Sequence, residues 1–170
     1  MASINGISIK NLKKFRGHEG EPLAQGTVYY KGKKLGYWSQ DFHGGPDAYE
    51  FDARQLNDEV TKYRESGRVE EMYKEYTDLG CILEDLVNLM ETEKTFKKGI
   101  KAGYPAYVEV NDGYHVWGVY HRAKPNESKA DLVNDPRVVG FIAECRAKAF
   151  KNKKVEWDVY MSAEDFDLVY

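Results

Sequence analysis

The spacing of hydrophobic and polar positions along the chain passes from strand to helix and back to strand. Near the start, Ile4, Ile7 and Ile9 open irregularly, and Thr27-Val-Tyr-Tyr30 and Leu35-Gly-Tyr-Trp38 then flank Lys31-Gly32-Lys33-Lys34. Two β-rich runs around a central glycine predict a hairpin, with Lys31-Gly32 or Gly32-Lys33 as its two-residue loop. A glycine-rich loop from Asp41 to Asp47 leads into a short strand at Tyr49-Glu-Phe51.

Helical spacing follows. Asp52-Ala-Arg-Gln55 reads as a capping-box variant, the aspartate accepting the N3 amide and the glutamine reaching back. Leu56, Val60 and Tyr63 repeat at helical spacing, with Gly67 as C-terminal cap. Val69, Met72, Tyr76, Leu79, Leu83, Leu86 and Met90 then alternate steps of three and four. That stripe predicts one helix from about Arg68 to Lys98, about 45 Å long. Gly80 in its middle costs about 1 kcal/mol against alanine and is where such a helix would split.

Beyond Gly99 and Gly103, Ala106–Val110 and Tyr114–Val119 predict a second hairpin around Asp112-Gly113. That register sets Val108 opposite Trp117 and Val110 opposite His115, with Ala106, Val108, Val110, Trp117 and Val119 on the buried face. Asp135-Pro136 starts a helix whose inner face is Val138, Phe141, Ile142, Cys145 and Ala149. Val155, Trp157, Val159 and Met161 alternate with polar residues as a half-buried strand, and Ser162–Asp165 caps a last short helix. The fold class expected is α+β, with an antiparallel N-terminal sheet, a long central helical region, and a C-terminal β-hairpin plus helix and strand. One domain over 1–170 is expected, with two lobes over 1–98 and 104–170 as the alternative.

Composition narrows the class. A 42% apolar chain with a net charge of -3 is not a disordered one. No apolar run approaches the ~20 residues of a membrane span, and MASINGISIK has no signal-peptide core, so a cytoplasmic protein is expected. Cys81 and Cys145 both lie in helical patterns and read as buried thiols. Charge is segregated: residues 1–40 carry seven basic and two acidic side chains, residues 41–98 eight and fifteen. Between Glu70 and Glu93 there are eight acids and one base, Lys74. Within that stretch Glu71, Glu75, Asp78 and Asp85 fall away from the apolar stripe of a 3.6-residue helix. They form a candidate face for a basic partner, the alternative being a solvated face that suits the helix dipole.

Candidate chemistry is sparse. His18-Glu19 and Asp41-Phe42-His43 with Asp47 lie in glycine-bearing loops and offer ligands suited to Zn²⁺ or Mn²⁺. Asx turns use Asp41 and Asp47 as naturally, and no HExxH or paired CxxC spacing is present, so no metal or cofactor is expected. His115 and His121, six apart on one strand, would be about 20 Å from one another, too far for an acid–base pair. No GxSxG, GxxxxGK[ST] or GxGxxG motif occurs, and no residue is assigned as catalytic. Lys31, Lys33 and Lys34 at a hairpin tip could touch phosphate or guard the edge.

Phe15-Arg-Gly-His-Glu-Gly20, Gly26-Thr-Val-Tyr29, Gly32-Lys-Lys-Leu-Gly36 and Asp41-Phe-His-Gly-Gly45 lie within residues 7–52. This segment resembles one that recurs in small proteins of bacteriophages and mobile elements of Gram-positive bacteria, some of them inhibitors of type II CRISPR effector nucleases. The resemblance implies a phage-encoded anti-CRISPR inhibitor, monomer or dimer, in the host bacterial cytoplasm. Its partner would be a host CRISPR effector nuclease, with or without guide RNA, whose nucleic-acid binding or cleavage it would block. Such nucleases hold nucleic acid in positively charged channels, which an acidic helix could occupy. Two other classes stay open. One is a metal-dependent nuclease or guide-RNA-cleaving factor using His18, Glu19, Asp41 and His43. The other is a phage accessory or assembly protein that oligomerises through the Val69–Met90 stripe.

Overall fold

The computed structural model describes residues 1–122, 124, 126–150 and 154–170. The fold is α+β, built as two compact units: Met1–Glu91 with Phe166–Tyr170, and Thr92–Asp165. The division falls inside the long helix rather than at the glycines after it, and the last five residues belong to the first unit.

The first unit holds a six-stranded sheet in the order β5-β4-β3-β2-β1-β9. Its strands are β1 (Ser3–Ile4), β2 (Ile7–Arg16), β3 (Pro22–Tyr30), β4 (Lys33–Ser39), β5 (Ala48–Tyr49) and β9 (Asp167–Leu168). All neighbours are antiparallel except β1 and β9. The β2–β3 register shifts between Lys10 and Lys13, where Asn11 adopts φ 54°. That bulge breaks the period-two pattern and explains why β2 is hard to read as one strand. In the first hairpin Tyr30 pairs with Lys33, and Lys31 and Gly32 both take positive φ. The loop is therefore Lys31-Gly32, with the signs of a type I′ turn.

After β5, a 3₁₀ turn at Ala53–Leu56 leads into α1 (Asn57–Glu65). Asp52 accepts the N–H of Arg54 rather than that of Gln55, and the Gln55 side chain donates to the Asp52 carbonyl rather than accepting its N–H, so Asp52 caps the turn but neither bond of the expected capping box forms. Gly67, at φ 81°, follows the helix as expected. The single helix expected from Arg68 is not formed. Glu71–Tyr76 is a separate 3₁₀ segment, and the long helix α2 spans Leu79–Lys101. Met72 and Tyr76 are 66% and 72% exposed and Val69 is only half-buried, so the N-terminal part of the stripe is not buried as a helix face. Gly80 lies in the first turn of α2, and Asp78 caps the start of that helix by accepting the Cys81 N–H. Cys81 is exposed, contrary to expectation, while Cys145 is buried.

The second unit holds a three-stranded antiparallel sheet, β7-β6-β8, from β6 (Ala106–Asn111), β7 (Val116–His121) and β8 (Glu156–Tyr160). Val108, Val110, Leu132, Val138, Ile142, Cys145 and Val159 are in its core, with α3 (Lys129–Val133) and α4 (Pro136–Lys148) supplying the helical members. Val108 pairs with Val119 and Val110 with Trp117, a register two residues from the one expected. An even shift keeps every side chain on its face, so the apolar pattern could not distinguish the two. The longer loop is held by Asp112, which accepts from the N–H groups of Tyr114, His115 and Phe150. Among the described residues, no helix is long and apolar enough to cross a membrane.

Candidate binding surface on the first sheet

The loop site expected from sequence is partly assembled. His18 and His43 lie with ring centroids 5.8 Å apart, and Phe42 packs edge-on against both. The His18 N–H donates to the Phe42 carbonyl, which joins the two loops. The carboxylates serve turns instead. Asp41 accepts the Gly45 N–H at 2.7 Å, and Asp47 accepts the Trp38 indole N–H at 2.6 Å. Burial pushes the Asp47 carboxyl up, the Trp38 bond pulls it down, and Asp78 nearby adds to the rise. Glu19 is fixed through its own N–H, which donates to Glu21. His18 and His43 therefore meet while Asp41 and Asp47 are engaged in holding the loop.

The acidic face is dispersed. Glu71 and Glu75 lie on the 3₁₀ segment, where Glu71 pairs with Lys74 at 2.9 Å. Asp78 caps α2, and Asp85 accepts the Tyr63 hydroxyl. Burial and the Asp85 charge together hold the Tyr63 hydroxyl protonated well above the usual phenol range. The four residues do not share one helix face, because the chain breaks helix between them.

A cluster that spacing did not reveal lies in the second unit. Among the described residues, His121, Glu127 and Asp135 are the one His/Cys/Asp/Glu trio with ligand atoms within 4.8 Å of one another. Arg137 stands among them, its Nη2 3.1 Å from His121 Nε2 and 2.9 Å from Asp135 Oδ2. Its guanidinium holds the Asp135 carboxyl well below the usual range. That guanidinium is the cation of the cluster, and the cluster joins the end of β7 to the start of α4.

A further surface is the side of the first sheet turned away from its core. Ile7, Ile9, Val28 and Trp38 face the core at 1% exposure or less. Register then places the alternate residues on the other side: Lys34, Tyr29 and Ser8 in one row, Tyr37, Thr27 and Lys10 in the next, Ser39, Gln25 and Lys13 in a third. Phe15 and Leu23 close the series. Tyr29, Tyr37, Thr27 and Gln25 are half-buried, Ser8 at the β2 end is buried, and the three lysines are exposed. Lys10 Nζ sits 4.3 Å from the centre of the Tyr29 ring, a cation–π contact that covers one face of that ring. Tyr29 and Tyr37 are diagonal neighbours, about 7–8 Å apart. No aspartate or glutamate occurs in β2, β3 or β4. Lys14, on the opposite face, pairs with Glu91 at 3.3 Å. The signal for this surface in the sequence is that acid-free run of strands, visible once the bulge at Asn11 is allowed for. No family model, curated protein or solved structure matches this chain.

Proposed function

We propose that this protein acts by binding, as an inhibitor of a guide-RNA-loaded type II CRISPR effector nuclease, through the open face of its first sheet. The carrying observation is a coincidence of two readings. Residues 7–52, which resemble the phage proteins, are the residues that build β2 to β5 and hence the open face. A guide-loaded nuclease carries RNA, whose phosphates complement exposed lysines. An inhibitor needs only to occupy its target, so the reading asks for no reacting group. It replaces the acidic stretch as the contact surface, because Asp78 and Asp85 are engaged within the fold.

Plasmid cleavage by a purified guide-loaded nuclease, titrated with the protein, tests the reading. Dose-dependent loss of cleavage is expected, and full cleavage at saturating protein overturns it. A parallel arm incubates the protein alone with guide RNA and target DNA, with and without chelator. Shortened product that disappears with chelator would replace inhibition by a metal-dependent nuclease centred on His18 and His43.

A further inference from the structure

We infer that the open face of β2, β3 and β4 binds single-stranded nucleic acid, with Tyr29 and Tyr37 as stacking platforms and Lys10, Lys13 and Lys34 as phosphate contacts. The inference rests on that face being the contact surface and names the chemistry that covers it.

Charge comes first. Three adjacent strands without a single acidic residue place Lys10, Lys13 and Lys34 on one side. An anionic partner neutralises them and releases counterions as it does so. A protein partner of ordinary composition is disfavoured, since lysine is depleted in protein–protein interfaces. The aromatic residues decide the form of the nucleic acid. Tyrosine rings stack on bases only where the base faces are free, which a duplex does not allow and a single strand does. The tyrosines lie diagonally, about 7–8 Å apart, so two bases can each meet a ring, at Tyr29 on the face away from Lys10 or by displacing its ammonium onto phosphate. From the row of Tyr29 to that of Leu23 the surface runs about 20 Å at 3.3 Å per residue, enough for a short run of nucleotides. Thr27 and Gln25, between the lysines, add hydroxyl and amide groups for sugar or phosphate. With few groups placed to read base edges, the sequence preference should be modest.

Fluorescence anisotropy with the whole chain tests this, using labelled oligouridylate and oligothymidylate of about 12 nucleotides and a duplex of equal length. The single strands should bind at least tenfold more tightly than the duplex. Three phosphate contacts at the single-strand slope predict about a 20-fold loss of affinity from 50 to 200 mM salt. Tyr29→Ala combined with Tyr37→Ala should weaken binding about tenfold or more and leave the salt dependence unchanged. Tyr29→Phe with Tyr37→Phe keeps both rings and should keep the affinity, which separates stacking from misfolding. Lys10→Gln, Lys13→Gln and Lys34→Gln together should flatten the salt dependence. No binding at 50 mM salt, equal binding to the duplex, or wild-type affinity in the double alanine variant each overturns the inference. The same variants go into the cleavage assay. Inhibition lost in the lysine variant while no oligonucleotide binds would mean that the face meets protein, ending this inference and leaving the inhibitor reading intact. Oligonucleotide binding with cleavage unimpeded would do the reverse.

Discussion

Both carboxylate oxygens of Asp112 are committed to backbone. Oδ1 accepts from Tyr114 and His115, and Oδ2 accepts from Phe150 at 2.8 Å, with the His115 ring at its side. Burial pushes this carboxyl up, but the N–H groups of Phe150, His115 and Tyr114 outweigh it and hold the group far below the usual carboxylate range. The folded chain therefore releases this proton more readily than the unfolded chain does. Its stabilising contribution is complete above the unfolded value near pH 4 and falls away as the pH drops below it. Melting temperatures of the wild type and Asp112→Asn should differ most at neutral pH and converge below about pH 4. A gap that persists unchanged to about pH 3 would contradict the assignment. The sequence announces Asp112-Gly113 as a turn, and it is one. What it does not announce is that the aspartate gathers three N–H groups, one from Phe150, 38 residues away, and so lengthens the loop.

Elements were legible where an apolar face meets a partner inside the chain. The helix after Asp135-Pro136 and the strand around Trp157 and Val159 form as their periods predict, because Val138, Ile142, Cys145 and Val159 pack in one core. The stripe from Val69 to Tyr76 has the same three-and-four spacing, but Met72 and Tyr76 stay exposed and Val69 is only half-buried, and periodicity cannot supply a core to bury them. The helix therefore starts at Leu79, and the acidic residues before it divide into two kinds. Asp78→Ala removes the N-terminal cap and should cost about 0.5–2 kcal/mol. Glu71→Lys and Glu75→Lys, on the exposed 3₁₀ segment, should stay within about 0.5 kcal/mol of wild type. Urea titrations of the three single variants distinguish the two kinds. Equal costs would show that residues 71 to 78 act as one helical turn.

Across the whole chain, a net charge of -3 conceals a first quarter with few acids and a following stretch with many. Within the first unit those charges have different fates. Glu71, Asp78 and Asp85 are held by Lys74, the α2 terminus and Tyr63, whereas Lys10, Lys13 and Lys34 are displayed on one open face. The sequence showed the charge asymmetry but not this difference, since it depends on which strands pair and where β2 bulges. The most direct test is an ¹H–¹⁵N NMR titration of the whole chain with a short single-stranded RNA. The largest shifts should fall at Lys10, Lys13, Thr27, Tyr29 and Tyr37, with the residues of the second unit unmoved. Largest shifts at Glu71–Asp85, at His18 and His43, or around Arg137 would contradict the account.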